Sequence, residues 1–351
     1  MAAIDEQFMK RALQLAYSNL GNVSPNPSVG AVIVKNRKLI GEGVTRSGNH
    51  AEVEALRNAG DAQGATLYTT LEPCSHSDKK TPPCIEAIIT AKVKKVVIGT
   101  IDRNPKVNGQ GIEALKKAGI DVITGVMEKE AQKCHEFFFT WITTGKPFVT
   151  IKAAMTLDGS VTWGDGVRKK ITGNEADRAA HLLRKQYDAI LVGVHTVLKD
   201  NPELTTRLVE GKSPVKVVLD SQLNMSLDAA VVQEGNTIIF CLKNADKEKK
   251  QKLKAVCDVV EANEKYGMVD AEEVLSELGK SGITSLLIEG GAKVISTFLN
   301  DKLVNKGVFF IAPFTVKKGK SFFELLKGKV IIRKDLSIYK EGEDLMVEGY
   351  L

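Results

Sequence analysis

A histidine, a glutamate and two cysteines are the residues of this chain whose types and spacing best suit metal chemistry. His50 and Glu52 lie in "HAE", and Cys74 and Cys84 follow in "EPCSHSDKKTPPC", ten positions apart. A catalytic zinc ion needs three protein ligands and one open position, and one imidazole with two thiolates is a suitable set. The sequence therefore predicts a zinc site formed by His50, Cys74 and Cys84.

Glu52 stands two residues after the histidine, where an opening helical turn could direct its carboxylate toward the open coordination position. Zinc lowers the pKa of a bound water toward neutrality, and a nearby carboxylate can accept that proton and pass it to a departing amine. We therefore expect Glu52 to be the catalytic proton carrier. The alternatives are a structural zinc site or two unrelated core cysteines, and His76 and Cys134 are other possible ligands.

The order of the predicted elements places these residues in an α/β fold. A helix at 5–20 precedes the apolar run "VGAVIV", a second helix is expected from about 50 to 59, and the strands "ATLYTTL" and "VKKVVIGT" flank the helix "CIEAIITA". With "GIDVITG" and a long helix to about residue 143, the pattern predicts an α/β sandwich around a largely parallel sheet. His50 and Cys84 would each stand at the start of a helix, whose positive dipole end stabilises thiolates.

The segment "TTGKPFV" (143–149) predicts a domain boundary, because Gly145 and Pro147 can end a helix and begin an extended segment. We therefore predict one domain at residues 1–146 and a second at 147–351. The second half alternates again between strands such as "AILVGV" and "SLLIEGG" and helices such as "EADRAAHLLRKQ". It ends in β-rich stretches, so the pattern predicts a mixed sheet flanked by helices.

Composition and charge limit the class of protein. The 351 residues are 43% hydrophobic and 26% charged, which is typical of a globular chain with two domains. The opening residues lack a signal-peptide pattern, and no apolar run approaches the roughly 20 residues that cross a bilayer. The formal charge of +6 is spread without a large basic block, which argues against a nucleic-acid partner. We therefore expect a cytoplasmic protein with no membrane partner.

A series of motifs runs along nearly the whole chain. They are "PNPSVGAVIV" (25–34), "HAEVEAL" (50–56), "LEPCSH" (71–76), "KTPPC" (80–84), "NPKVNGQGI" (104–112), "TIKAAMTLDG" (150–159), "ILVGVHTVLKDNPELTTR" (190–207), "VVLDS" (217–221) and "IEGGA" (288–292). The first five resemble the zinc-dependent cytidine deaminase superfamily. Together, the motifs resemble the bifunctional deaminase-reductases of riboflavin biosynthesis.

The resemblance implies an N-terminal cytidine-deaminase-like α/β/α sandwich and a C-terminal dihydrofolate-reductase-like α/β domain. The first domain would use Zn²⁺ to deaminate 2,5-diamino-6-(5-phosphoribosylamino)pyrimidin-4-one, with Asn26 contacting the pyrimidine. The second would use NADPH to reduce the ribosyl group to a ribityl chain. This phosphoribosylaminopyrimidine would be the small-molecule partner, and we expect a homo-oligomer.

Positions that match the family's motifs imply which residues of the second domain bind substrate and cofactor. The substrate would be bound by Lys152, Arg168, Arg184, Leu204, Arg207 and Glu289, and NADPH by Ala154, Lys170, Thr196, Asp200, Ser221, Gly290 and Gly291. Independently, "IEGGAKV" has the form of a strand, a glycine turn and a helix N-terminus, which suits a cofactor phosphate. The arginines could instead be surface salt-bridge partners, and Asp200 a turn residue.

The chain departs from the family pattern in both halves. The loop between the cysteines is one residue longer, through "SDKK", which costs little and should leave zinc binding intact. Arg168 and Lys170 stand where the family usually carries a serine and a tryptophan, and Phe314 where a lysine is common. Lys170 lacks a planar surface but could pair with a cofactor phosphate. We expect the reductase to be retained; the alternatives are a deaminase with an inactive reductase domain and a nucleic-acid-editing or binding protein.

Overall fold

A computed structural model describes residues 2–75, 83–163, 169–316, 319–322, 326 and 332–351. The chain divides into two compact units, Met1–Gly145 and Lys146–Leu351. Within the described residues, no helix has both the length and the apolar character that a membrane crossing requires.

The first unit is built on a five-stranded sheet. Its elements are α1 (Ala2–Ser18), β1 (Gly30–Lys35), β2 (Lys38–Val44), α2 (Ala51–Ala59), β3 (Thr66–Leu71), α3 (Cys84–Thr90), β4 (Lys95–Thr100), α4 (Gln110–Lys117), β5 (Asp121–Thr124), α5 (Glu128–Cys134) and α6 (Glu136–Thr144). The strand order is β2-β1-β3-β4-β5. The sheet is mixed: the parallel arrangement predicted from the sequence holds for β3, β4 and β5, whereas β1 is antiparallel to both of its neighbours, β2 and β3.

Alternating side chains divide the core of this unit between the two faces of the sheet. Val32 of β1 packs in a cluster with Met9 of α1, on one face. Its neighbour Ile33 packs with Ala55 of α2 on the opposite face, in a cluster that also includes side chains of α3, α4 and α6. Helices therefore cover both faces, and the predicted α/β/α sandwich is confirmed.

The last helical stretch of the first unit differs from the single long helix that the sequence predicted. It is divided at His135, whose φ of −104° and ψ of 9° separate α5 from α6. The imidazole is buried, and its Nε2 lies 3.1 Å from the Thr70 hydroxyl of β3. The break therefore coincides with a polar contact between this helical stretch and the sheet.

The second unit is built on a nine-stranded sheet. Its elements are β6 (Phe148–Thr156), α7 (Asn174–Gln186), β7 (Ala189–Gly193), α8 (Val194–Asp200), β8 (Val215–Leu219), α9 (Ala230–Gln233), β9 (Thr237–Leu242), α10 (Lys247–Lys254), β10 (Asp258–Ala262), β11 (Glu264–Lys265), β12 (Met268–Val269), α11 (Ala271–Lys280), β13 (Ser285–Gly290), α12 (Ala292–Asn300), β14 (Lys306–Ala312), β15 (Lys334–Glu341) and β16 (Asp344–Tyr350). The strand order is β10-β9-β8-β7-β13-β6-β14-β16-β15, and β11 and β12 form a separate two-stranded sheet. In this order, the first seven strands are parallel to one another, whereas β16 is antiparallel to both β14 and β15, so the predicted mixed sheet is confirmed.

Parallel strands determine where a ligand can bind in the second unit. The interior strand β7 is buried along its whole length, with α11 and α12 on one face of the sheet and α7 to α10 on the other. Because β6, β7, β8 and β13 run in the same direction, their carboxyl ends lie at one edge. The crevice outside that edge is the usual binding site in such sheets.

Candidate functional site

The three predicted metal ligands come from the ends of three different elements. His50 is the residue that precedes α2, Cys84 is the first residue of α3, and Cys74 follows β3. The His50 Nδ1 lies 2.8 Å from the Cys84 Sγ and 3.4 Å from the Cys74 Sγ, and the two sulfurs are 3.4 Å apart. The fold therefore brings together side chains that are up to 34 positions apart in the sequence.

This donor set fits a zinc ion. Ligands at ordinary zinc bond lengths lie roughly 3.5 to 4 Å from one another around a tetrahedral ion. The two separations of 3.4 Å are close to this range, and the 2.8 Å between His50 and Cys84 is shorter. Hydrogen bonding between the two sulfurs lowers the pKa of Cys74 and raises that of Cys84, as expected for two thiols that share one proton. A divalent cation at this point favours both thiolates.

Glu52 lies beside this triad without being part of it. Its Oε2 accepts a hydrogen bond from the Cys84 thiol at 3.5 Å, and its Oε1 accepts one from the Thr69 hydroxyl at 3.4 Å. Burial raises the pKa of Glu52, and the charge on His50 opposes that shift. A carboxyl group with a raised pKa can hold a proton closer to neutral pH, which is the property that a proton carrier needs.

A cavity of about 310 Å³ lies beside His50 and Cys74 of the triad. Its lining residues include Asn26, His50, Glu52 and Cys74, so four residues predicted from the sequence share one space. Asp102 also lines it and was not predicted, although its place just after the buried strand β4 is a signal that could have found it.

Glu72 is a second lining residue whose role sequence reasoning missed. Its buried carboxylate accepts hydrogen bonds from the backbone N–H groups of Asp102, Gly109, Gly111 and Ile112, at 2.9 to 3.4 Å. Glu72 therefore ties the end of β3, two residues before Cys74, to the segment that leads into α4. A buried acid within the motif "LEPC" was the available signal.

In the second unit, a buried carboxylate holds two of the predicted cations. The Glu289 oxygens accept hydrogen bonds from Arg184 Nε at 2.7 Å and Nη2 at 2.9 Å, and the Lys152 ammonium lies 3.8 Å away. Burial by itself raises the pKa of Glu289, but the charges of Arg184 and Lys152 outweigh it and lower that pKa to about 2. These three residues therefore form one charged cluster.

The other predicted substrate residues have different surroundings. Leu204 has a φ of 56° and its side chain is buried in the core, so only its backbone is available to a ligand. Arg207 is 56% exposed and lies 3.4 Å from Glu203. His181 was not predicted; burial, helped by Arg184, lowers its pKa to about 4. Arg168 lies outside the described residues.

The glycines at the end of β13 lie close to Thr196 of α8. Gly290 has a φ of 147°, which a residue with a side chain rarely adopts. A Cβ added to Gly291 would lie 3.3 Å from the Thr196 hydroxyl. Gly291 directly precedes α12 and, with Ser221, lines a cavity of about 380 Å³. Backbone N–H groups at the start of α12 suit a phosphate, so this cavity fits part of a dinucleotide.

The remaining predicted cofactor residues are more dispersed. Ala154 is half-buried on β6, and Asp200 is the last residue of α8. The Lys170 ammonium forms an ion pair with Asp177 of α7. Phe314, where the family commonly has a lysine, stacks on Trp163 with ring centroids 5.1 Å apart.

Comparison with known proteins covers both units. Residues 147–347 match the family model of the RibD C-terminal domain, and residues 2–100 match that of the cytidine and deoxycytidylate deaminase zinc-binding region. Riboflavin biosynthesis protein RibD of Aquifex aeolicus is 42% identical over 98% of each chain, and that of Escherichia coli K12 is 38% identical over 88% of each.

Solved structures agree with these relatives. RibD of Acinetobacter baumannii has a TM-score of 0.87 at 33% identity over 99% of each chain. A diaminohydroxyphosphoribosylaminopyrimidine deaminase/5-amino-6-(5-phosphoribosylamino)uracil reductase from Thermotoga maritima has a TM-score of 0.86 at 38% identity, over 99% of this chain and 98% of that one.

Proposed function

Because this chain belongs to the RibD family of riboflavin biosynthesis proteins, we propose that residues 1–146 deaminate 2,5-diamino-6-(5-phosphoribosylamino)pyrimidin-4-one and that residues 147–351 reduce the product. The chain is a bifunctional enzyme with a deaminase domain and a reductase domain, and its cofactors are Zn²⁺ and NADPH. The substrate assignment is supported by the Thermotoga maritima relative, which is named for both reactions. The observation that carries the proposal is Glu52 beside the His50, Cys74 and Cys84 triad.

In the deaminase, we propose that His50, Cys74 and Cys84 hold the metal. Bound Zn²⁺ supplies a Lewis acid that activates water for hydrolysis. The Glu52 carboxylate accepts a proton and delivers it to the departing amino group, which leaves as ammonia while the pyrimidine carbon gains a carbonyl oxygen. Asn26, on the cavity wall, orients the pyrimidine ring.

Replacement of Glu52 by glutamine tests this role. Glu52→Gln should lower the rate of deamination by about 10²- to 10⁴-fold, because the proton carrier is lost while its volume is kept. Zinc content per chain and NADPH-dependent reduction of the deaminated substrate should not change. Glu54→Gln is the matched control, since Glu54 is the next acid of α2 and its Oε2 accepts a hydrogen bond from the Val44 N–H. Normal deamination by Glu52→Gln would contradict the mechanism.

In the reductase, we propose that Lys152, Arg184, Arg207 and Glu289, with Arg168 and the Leu204 backbone, bind the phosphorylated substrate. Fixed cations suit a phosphate, and Glu289 holds two of them in place. We propose that NADPH is bound by Ala154, Lys170, Thr196, Asp200, Ser221, Gly290 and Gly291. NADPH supplies the hydride for reduction of the ribosyl group.

Lys152→Ala separates the two activities. It should lower kcat/KM for reduction while deamination stays normal, because the two sites are assigned to separate units. Lys306→Ala is the matched control: Lys306 lies on the neighbouring strand β14, is buried to a similar extent and pairs with Glu348. An equal loss of both activities in Lys152→Ala would contradict the assignment.

We also propose that the enzyme acts in the cytoplasm as a homo-oligomer, without nucleic-acid or membrane partners. The spread of charge supports the absence of nucleic acid. A second copy of the chain suits β15, because this outer strand exposes Leu336, Ile338 and Tyr339. Sedimentation equilibrium should show an oligomer that Ile338→Lys weakens, and a monomeric parent protein would contradict this proposal.

A further inference from the structure

The cavity beside Gly291 contains two basic side chains that have no role in the assignments above. His195, the second residue of α8, and Lys293, the second residue of α12, both line it and are both exposed. Two neighbouring helices thus each contribute one basic group to the same space.

The charge of these groups is not neutralised by the acid in the cavity wall. Asp220 is the single acidic residue among the described lining residues, and its two oxygens accept hydrogen bonds from the Asn224 and Met225 N–H groups, each at 2.8 Å. In the described part of the chain, no carboxylate forms an ion pair with Lys293. The cavity therefore has positive charge available for an anionic ligand.

We propose that Lys293 and His195 bind the 2′-phosphate of NADPH and so select NADPH over NADH, an inference that rests on the proposed reductase function. The cofactor has two anionic regions. Its pyrophosphate suits the backbone N–H groups at the start of α12, which need no side-chain charge. The 2′-phosphate is the group that NADH lacks, and charged side chains are the usual partners for it. The imidazole of His195 donates an N–H whether it is neutral or protonated.

The experiment compares two probes that differ at the 2′ position. Calorimetry on the full-length, zinc-loaded protein measures binding of adenosine 2′,5′-bisphosphate and of adenosine 5′-monophosphate. Lys293→Ala should weaken binding of the bisphosphate about 10- to 100-fold, the range for a charge-assisted hydrogen bond, and leave the monophosphate within about twofold. His195→Ala should act in the same direction with a smaller change.

Steady-state reduction provides a second measurement. In Lys293→Ala, kcat/KM should fall for NADPH and stay unchanged for NADH, so the preference for NADPH narrows about 10- to 100-fold. Lys199→Ala, on the exposed side of α8, removes the same charge outside the cavity and is the matched control.

Two results would overturn the inference. Equal weakening of both probes would place Lys293 at the pyrophosphate, and no weakening of either would remove it from the cofactor site. The parent protein distinguishes this failure from that of the proposed function. If it binds the bisphosphate selectively but does not reduce the deaminated substrate, the selectivity stands and the reductase assignment fails.

Discussion

Arg184→Met perturbs the charged cluster of the second unit most directly. In the parent protein, Glu289 is buried and receives two hydrogen bonds from Arg184. Methionine keeps much of the side-chain volume but removes both bonds, which leaves Lys152, 3.8 Å away, as the remaining cation of the cluster. The variant therefore retains the buried carboxylate of Glu289 without the two hydrogen bonds and most of the positive charge that stabilise it.

The expected cost follows from the pKa of Glu289. A fall from an ordinary 4.5 to about 2 corresponds to about 3 kcal/mol of stability at neutral pH. Removal of one partner from a buried ion pair typically costs about 3 to 5 kcal/mol, which agrees with this figure. Because the pKa is lowered by folding, the contribution is complete well above pH 4.5 and is lost as the pH falls toward 2. The difference between parent and variant should therefore shrink by about half near pH 3.5.

Urea is a suitable denaturant for this measurement because it is uncharged and does not screen the ion pairs. Tryptophan fluorescence can restrict the signal to the second unit. The chain has two tryptophans, Trp141 in the first unit and Trp163 in the second, so a Trp141→Phe background makes fluorescence specific for the second. Arg207→Met is the control, and its exposed pair with Glu203 should change stability by less than about 1 kcal/mol. A destabilisation by Arg184→Met that is the same at pH 7 and pH 3.5 would refute the reasoning.

Three further predictions concern the first unit. Cys84→Ser should lose zinc in a metal analysis while Cys134→Ser keeps it, and zinc retained by the former would remove Cys84 from the ligand set. Glu72→Gln places an amide N–H₂ donor opposite two backbone N–H groups, so the free energy of unfolding should fall by about 1 to 3 kcal/mol. The KM for deamination should rise because Glu72 lines the cavity, and an unchanged KM would contradict a role for Glu72 in shaping it. Burial lowers the pKa of His135 to about 4, so the first unit should lose up to about 3 kcal/mol as the pH falls from 6.5 to 4. His135→Gln should reduce that pH dependence in unfolding curves followed by Trp141 fluorescence, and an unchanged slope would speak against a buried neutral imidazole.

The elements that the sequence predicted well are those whose side chains follow one period. The strand β7 is apolar throughout, β13 contains an apolar run from Leu286 to Ile288, and the helix α7 has a regular apolar stripe, so these patterns can be recognised without knowledge of the fold. The strand β2 was missed because "KLIGEGV" contains two glycines, which are unfavourable in strands. Its geometry explains them: a Cβ on Gly43 would lie 2.1 Å from the Ala51 carbonyl oxygen, so glycine is needed where α2 crosses β2.

The sites show the same division between local and long-range signals. The grouping of His50, Cys74 and Cys84 followed from residue types and order, since few other ligand sets were available. The roles of Glu72 and Lys293 did not, because each depends on which distant backbone groups or cavity walls the side chain meets after folding. A lone acid or lysine carries no periodic pattern that could have revealed those contacts.

The placement of the proposed metal ligands at the ends of three elements has a consequence for the stability of the protein in a cell. An ion held by His50, Cys74 and Cys84 acts as a crosslink between the start of α2, the end of β3 and the start of α3. When zinc is scarce, that crosslink is lost and local opening of these segments becomes more frequent. Proteases should then cleave the first unit before the second, so a shortage of metal would reduce the amount of deaminase as well as its activity.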